Sequence, residues 1–372
     1  MDQTTTRDTV PVMRPLLPPL PAIAPYLTEI DRTRWYSNHG PLVQQLERRM
    51  AAALDAPPGG VVSVGNGTAG LAAALIALDL PKGSLIAVPS WTFCATAHAV
   101  ALAGHVPYLV DVDPDTWTLT PARVSAVLND GHARITAVMP VSPFGAPLDV
   151  DGWRAFRAET GLAVIVDAAA GFDTWTACDI PAVVSLHATK ALGAGEGGLV
   201  VATDTALLDR IRPIVNFGFS GLAVAQAHAF NGKLSEYGAA VALAALDAWP
   251  DTRASWRDAA ALYAPLLARN DLVTQAGFGQ RWVGSVLVVR LPDHDARAVE
   301  AGLGTHGILT RRWWPLALHE HPAFAACPWD STEHGGRLAR QCLGLPFFRD
   351  IAPHQARTVM DALDRVLAAV TA

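Results

Sequence analysis

The chain has 372 residues, of which 51% are hydrophobic and 17% charged, so it can bury one large core and a smaller one. Its net charge of −6 and its isoelectric point near 6.0 argue against a nucleic-acid partner. No apolar run reaches the roughly 18 residues of a membrane span. The polar first residues, Met1–Asp8, lack the basic start and apolar core of a signal peptide, so we expect a cytoplasmic protein.

The beginning of the chain predicts an arm rather than a folded element. Its prolines, from Pro11 to Pro25, suit extended backbone because proline lacks the N–H that a helix needs. The aromatic pair Trp35–Tyr36 and the dipeptide Gly40–Pro41 then lead into a helix near Leu42–Leu54, where apolar residues recur at helical spacing.

Strands and helices then alternate, which predicts an α/β fold with a large, doubly wound and mostly parallel sheet. The predicted strands are Val61–Val64, Leu85–Val88, Val106–Val110, Ile135–Pro140 and Leu162–Val166; the predicted helices are Leu71–Leu78, a segment ending near Ala103, Pro121–Leu128 and Val150–Thr160. Beyond Trp249–Pro250, helices Ala254–Ala268, Ala296–Gly302 and Pro353–Ala369 and a strand Ser285–Val289 predict a smaller C-terminal α+β domain. We therefore place a large domain with its arm at 1–249 and a small domain at 250–372.

Two motifs admit more than one interpretation. Gly65–Gly70 formally matches the G-x-G-x-x-G fingerprint of dinucleotide-binding proteins, but the next strand ends in Pro89–Ser90 without the acid that holds a ribose. The loop suits a phosphate equally well, because a helix N-terminus stabilises any anion. The acidic run Asp111–Asp115 is short and contains a proline, so we interpret it as a solvated turn and expect no metal site.

Lys190 is the residue that carries the most chemical information. Only three of the 28 lysines and arginines are lysines (Lys82, Lys190 and Lys233), and only a lysine amine can lose its proton and attack a carbonyl. Lys190 lies between two apolar runs, although a solvated loop lysine is the alternative. Asp167 ends a buried strand 190 − 167 = 23 positions earlier. A lysine for a Schiff base and a carboxylate for a pyridinium are what pyridoxal 5'-phosphate (PLP) requires of its protein.

The segments Ser185–Gly198, Asn66–Ala69 and Asn231–Tyr237 resemble those of the DegT/DnrJ-type sugar aminotransferases, a family of fold-type I PLP-dependent transferases. The resemblance runs from about Trp35 to the C-terminus. It implies catalytic roles for Lys190 and Asp167. The cofactor-binding residues that it implies are Asn66, Gly67, Thr68, Ala69, Phe93, Asp167, Ala170, Ser185, Lys190 and Asn231. Asn231 matches an asparagine that in relatives reaches the neighbouring subunit's cofactor, whereas Ala170 replaces a Gln or His of many relatives.

The same resemblance implies the substrates. An aminotransferase would move an amino group from glutamate to a nucleotide-linked keto-deoxysugar, namely a 4-keto-6-deoxyhexose, in a homodimer with shared active sites. Candidate substrate-binding residues are Trp35, Tyr36, His187, Arg311, Arg312, Trp313 and Trp314. A 3-keto sugar nucleotide or a cyclitol ketone as acceptor, a non-catalytic PLP-binding sensor and a nucleotide-binding oxidoreductase are the alternatives.

Overall fold

The computed structural model describes residues 9–131, 133–221, 223–268 and 272–370, and a mostly parallel sheet lies at its centre. Its strands are β1 Val61–Val64, β2 Leu85–Pro89, β3 Val106–Val110, β4 Ile135–Val138, β5 Ala163–Val164, β6 Val166–Asp167, β7 Ala182–Ser185 and β8 Gly198–Val201. One half has the order β3-β2-β4-β5 and the other β6-β7-β8-β1. β5 and β6 continue each other, and the N–H groups of Ile165 and Asp167 donate to carbonyls at the end of β4, so the two halves join. β8 runs antiparallel to β7 and β1, and the other strand pairs of this sheet are parallel.

Helices cover both faces of this sheet. They are α1 Leu20–Thr33, α2 Pro41–Ala53, α3 Gly67–Ile76, α4 Ala95–Leu102, α5 Pro121–Asn129, α6 Val150–Thr160, α7 Thr205–Ile214 and α8 Glu236–Asp247. Side chains from alternate positions of the strands enter two separate apolar clusters, one on each face. The start of α5 shows the local signals at work, because Thr120 accepts from the Arg123 N–H at 3.4 Å and Pro121 occupies the first turn. The predicted fold class is confirmed.

The arm is partly helical, which corrects the prediction for Pro11–Pro25. Backbone without helical pairing ends at Pro19, and α1 begins at Leu20 with Pro21 in its first turn, where an N–H would have no partner anyway. Pro25 removes one later hydrogen bond, and Ile30 at the far end of α1 is buried in the core. Packing of this apolar face outweighs the loss of a single bond.

A third apolar cluster lies in the C-terminal part of the chain. Its elements are α9 Trp249–Leu267, β9 Leu287–Arg290, α10 Ala296–Thr305, α11 Glu333–Gln341, β10 Cys342–Leu345 and α12 Pro353–Val370. α9 begins five residues earlier than predicted, because Pro250 is tolerated in a first helical turn. β10, which pairs antiparallel with β9, and α11 were not predicted. Val10 of the arm and Ala191 join this cluster, and the domain boundary at 249/250 stays a prediction.

Asp111 corrects the interpretation of the acidic run. Asp113 does form a turn, accepting from the N–H groups of Asp115 and Thr116. Asp111, however, is buried, and it accepts from the N–H groups of His334 and Gly335 at 2.9 and 2.8 Å, at the start of α11. This carboxylate therefore caps a helix that begins more than two hundred residues later. No cluster of metal-ligating side chains occurs among the described residues.

None of the helices in the described ranges is both long and apolar enough to cross a bilayer.

Candidate active site

Lys190 and Asp167 lie in one cavity of about 1130 Å³ at the carboxyl ends of the strands. This is where parallel α/β sheets bind their ligands. The cavity is lined by fourteen of the predicted site residues: Asn66, Gly67, Thr68, Ala69, Phe93, Asp167, Ala170, Ser185, His187, Lys190, Asn231, Arg311, Trp313 and Trp314. Segments more than 240 positions apart in the chain thus meet around a single lysine.

The loop that carries Lys190 is tied together by its own backbone. The Lys190 N–H donates to the His187 carbonyl at 2.9 Å, and the Ala188 N–H donates to the Gly195 carbonyl at 2.7 Å. Gly195 has a φ of 92°, a conformation that glycine adopts without strain. Burial lowers the pKa of the Lys190 amine, while the nearby Asp167 charge partly opposes this shift. The loop therefore presents an amine that loses its proton more readily than an ordinary lysine.

Asp167 ends β6 and is buried beneath the cavity. Its carboxylate accepts the Thr96 hydroxyl hydrogen at 2.7 Å and the Ala169 N–H at 3.1 Å. Burial raises the pKa of this carboxyl group, although both hydrogen bonds and the Lys190 charge act in the opposite direction. A cationic ring nitrogen against Asp167 would offset the cost of its burial. Thr96 was not identified from the sequence; its place one turn after Phe93 is the only signal.

An anion-binding cradle lies at the start of α3. The Asn66 side chain accepts from the Ala69 N–H at 2.9 Å, and the other N–H groups of the first turn have no helical partner. Gly67 lies against Ser185, since a Cβ built on Gly67 would be 3.3 Å from the Ser185 Cβ. The Ser185 oxygen accepts from the His187 N–H at 3.2 Å, which leaves its own hydrogen to donate. These groups fit a phosphate.

The glycines of Gly65–Gly70 are explained by close packing. The Gly65 N–H donates to the Gly232 carbonyl at 2.7 Å. A Cβ on Gly70 would lie 2.9 Å from a methyl group of Val183, so this glycine lets α3 approach the sheet. The dinucleotide fingerprint is therefore only formal.

Aromatic residues form another wall of the cavity. Trp314 stacks on Phe144, with ring centroids 4.1 Å apart, and accepts through its carbonyl from the Trp91 indole N–H at 2.9 Å. Phe93 lines the cavity with 57% of its surface exposed, so it does not belong to the core. Ala170 also lines the cavity and offers no side-chain hydrogen bond. Phe144 and Trp91 escaped the sequence prediction because nothing local marks them.

Three candidate substrate residues lie outside this cavity. Trp35 donates its indole N–H to the Ser37 carbonyl at 2.5 Å, and Tyr36 stacks on Tyr237 at the surface. Arg312 forms an ion pair with Glu300 of α10 at 2.9 Å. The role of these three residues in substrate binding stays a prediction.

His187 and Asn231 are better placed than these residues. His187 lines the cavity, and its ring contacts the Thr189 hydroxyl at 2.8 Å and lies 3.6 Å from Glu196. Asn231 is exposed and lines the cavity of its own chain. Its contribution to a neighbouring subunit's site stays a prediction.

Taken together, the cradle, the buried carboxylate and the loop lysine fit the phosphate, the ring nitrogen and the aldehyde of PLP. The fold is that of fold-type I PLP-dependent transferases. The model of the DegT/DnrJ/EryC1/StrS aminotransferase family matches residues 21–364, and the chain belongs to this family. It is a PLP-dependent aminotransferase.

Individual relatives agree with this assignment. The chain is 32% identical over 323 residues to a UDP-N-acetyl-3-dehydro-alpha-D-glucosamine 3-aminotransferase of Acidithiobacillus ferrooxidans, covering 82% of this chain and 84% of that protein. It is 34% identical over 243 residues to a dTDP-4-amino-4,6-dideoxy-D-glucose transaminase of Shigella dysenteriae, covering 63% and 64%. The crystal structure of DesI in the presence of its TDP-sugar product superposes with a TM-score of 0.86 at 31% identity, covering 100% of this chain and 94% of that chain.

Proposed function

We propose that this protein is a sugar aminotransferase that transfers an amino group from glutamate to a nucleotide-linked 4-keto-6-deoxyhexose. The observation that carries the proposal is the position of Lys190 and Asp167 in one large, aromatic-walled cavity. Its volume of about 1130 Å³ exceeds what a small keto acid needs and suits a ligand with a sugar ring and a nucleotide.

The proposal gives each main residue of the site a defined task. PLP, when bound, supplies an electron-withdrawing ring that stabilises negative charge on the reacting carbon. Lys190 would hold the cofactor and, as a free amine, would move a proton between the reacting carbon of the substrate and the aldehyde carbon of the cofactor. Asp167 would accept a hydrogen bond from the ring nitrogen and so keep that nitrogen protonated. The start of α3 and Ser185 hold the phosphate.

Comparison with relatives supports the substrate class more strongly than the position of the amino group. One relative named above is a 3-aminotransferase, and another forms a 4-amino-4,6-dideoxy sugar. A 3-keto sugar nucleotide is therefore the second candidate, and a cyclitol ketone is a third. The indoles of Trp313 and Trp314 offer apolar faces to any of these rings.

The test is a substrate panel. Enzyme, PLP and glutamate are incubated with 4-keto and 3-keto sugar nucleotides, scyllo-inosose and simple 2-oxo acids, and 2-oxoglutarate release is followed with mass analysis of the product. We expect turnover with the 4-keto-6-deoxy sugar nucleotide. Turnover of 2-oxo acids with inert sugar nucleotides would refute the substrate, and a colour change with glutamate but no turnover of any acceptor would favour a sensor.

A further inference from the structure

Lys190 lies where two of the apolar clusters meet. Leu192 belongs to the cluster on one face of the central sheet, whereas its neighbour Ala191 belongs to the C-terminal cluster. The chain therefore passes from one core to the other within the turn that carries Lys190. Residues 186–197 are called the lysine loop below.

One side chain from outside the lysine loop is hydrogen-bonded to its tip, residues 188–193, in the part of the chain that the structure describes. The Trp256 indole, on α9, donates its N–H to the Ala191 carbonyl at 3.1 Å. The other hydrogen bonds of the tip among the described residues, such as that from the Lys190 N–H to the His187 carbonyl, stay within the loop. Trp256 is thus the link between the tip and the C-terminal part of the chain.

The orientation of the Trp256 indole is fixed by its surroundings. Only 7% of Trp256 is exposed, and its ring stacks on Phe347, with the ring centroids 5.4 Å apart and the planes inclined by 19°. Phe347 is buried, and its N–H donates to the Val12 carbonyl of the arm at 2.9 Å. The donor that meets the Ala191 carbonyl is therefore held in one direction.

Packing alone does not hold the tip of the lysine loop. A second cavity of about 350 Å³ lies between the tip and the arm, and its walls include Lys190, Ala191, Trp256 and Thr252. Atoms that face a cavity lack contact partners on that side, so dispersion forces do not fix their position. Ala191 is buried, so loss of the indole N–H would leave its carbonyl without a partner. Rotation of the tip toward this cavity would relieve that cost.

We infer that Trp256 is a positioning residue for Lys190, an inference that rests on the role proposed for this lysine. By holding the Ala191 carbonyl, the indole fixes the backbone from which the Lys190 side chain extends into the main cavity. The amine has to serve two carbon atoms in turn, and a displacement of about 1 Å can lower a rate by about 100-fold. The hydrogen bond therefore sets the direction of the amine, although Trp256 does not line the main cavity.

The test compares Trp256→Phe with the matched control Trp282→Phe. Trp256→Phe deletes the N–H but keeps an aromatic ring against Phe347. Trp282 is also buried, and its indole N–H donates at 3.0 Å to the carbonyl of Ala276, which is not part of the lysine loop. In the apo-protein, we expect Trp256→Phe to speed hydrogen exchange of peptides within residues 186–197 by about 10-fold, and the control to leave it unchanged.

The holoenzyme supplies a second measurement. In Trp256→Phe the limiting rate of the glutamate half-reaction should fall by about 10-fold, because the amine is displaced. The half-saturating glutamate concentration and the cofactor content should stay within about twofold of wild type, since the binding groups are untouched. The apparent pKa of the bound cofactor's visible spectrum should move, and neither this pKa nor the limiting rate should change in Trp282→Phe.

Three results would overturn the inference: unchanged exchange in Trp256→Phe, an equal effect of Trp282→Phe, or a higher half-saturating concentration at an unchanged limiting rate. Phe347→Leu keeps the indole N–H but removes the ring that orients it, so it should show the same changes to a smaller extent. If Trp256→Phe does not fold, wild-type exchange and rate in Phe347→Leu overturn the inference instead.

Borohydride reduction of the holoenzyme, followed by peptide mass analysis, identifies the lysine that carries the cofactor. A lysine other than Lys190 would refute the role proposed for Lys190. Reduction onto Lys190 together with unchanged exchange in Trp256→Phe would refute the positioning role alone.

Discussion

Replacing Asp167 by Asn should separate catalysis from stability. The substitution keeps the shape of the side chain but removes its charge. The Asn oxygen can still accept from the Ala169 N–H, now at 3.1 Å from the carboxylate. The Asn amide can donate to the Thr96 oxygen, which lies 2.7 Å from the carboxylate, while the Thr96 hydroxyl donates to Thr92 at 3.1 Å. Every hydrogen bond at the site can therefore be satisfied.

The expected magnitudes follow from this geometry. With all partners satisfied, the free energy of unfolding of the apo-protein should change by no more than about 1 kcal/mol. Burial raises the pKa of Asp167, so the folded apo-protein holds this proton more tightly than the unfolded chain does. As pH rises above the ordinary value of 3.8 and through the raised value, the wild type loses the stability contributed by this group, and Asp167→Asn does not. A charge-assisted hydrogen bond is worth about 1.5–3 kcal/mol, so loss of the pyridinium partner should lower kcat by about 10- to 100-fold.

The assay combines denaturant unfolding of the apo-protein with single-turnover rates of the holoenzyme. Asp111→Asn is the matched control, because Asp111 is also buried but its two oxygens accept from the N–H groups of His334 and Gly335. In the Asp111→Asn variant the side-chain NH₂ would face one of these N–H donors. We therefore expect its free energy of unfolding to fall by about 1–3 kcal/mol, with an unchanged cofactor spectrum. Our reasoning would be refuted if Asp167→Asn kept full kcat, or if it destabilised the apo-protein more than Asp111→Asn does.

Three further predictions concern the cofactor and its neighbours. Lys190→Ala should lose the visible absorbance and all turnover, while Lys233→Ala should keep both. Because burial lowers the pKa of the Lys190 amine, the rate of cofactor uptake by the apo-protein should increase with pH, and the midpoint of this increase should lie below pH 10.5. Rapid-mixing absorbance measures this rate. Ala170→Gln should move the apparent pKa of the bound cofactor, and an unchanged pH titration of the spectrum would mean that this position does not face the ring. When the Asn231→Ala and Lys190→Ala proteins are mixed, we expect part of the activity to return, because one site of a mixed dimer then has both an intact Lys190 and an intact Asn231. An active monomer in sedimentation would exclude shared sites.

The parts of the site that the sequence predicted are local in the chain. Asn66–Ala69 begins a helix, Asp167 ends a strand, and Lys190 lies in a glycine-rich turn, so each can be recognised within a dozen residues. The same locality explains the success with the central strands, whose apolar runs are buried on both faces. A local sequence pattern is sufficient to predict an element whose structure depends on neighbouring residues in the chain.

The parts that were missed depend on distant contacts. Thr96 meets Asp167 across 71 positions, and Asp111 meets Gly335 across 224. α11 has no side-chain cap of its own, and Asp111, the residue after β3, supplies the cap. β10 is only four residues long, and its pairing with β9 is not visible before the chain folds. These elements are specified by partners rather than by their own residues.

Arg311 and Arg312 show why residue identity alone could not complete the site. Both are arginines, and the chain pattern around them is the same. Arg311 pairs with Gly344 as a strand residue does, and successive side chains of extended backbone point to opposite sides. One arginine therefore turns to the cavity and the other to Glu300 on α10. The alternation of side chains along an extended segment, and not its composition, places one of two identical neighbours at the cavity and the other in an ion pair with Glu300.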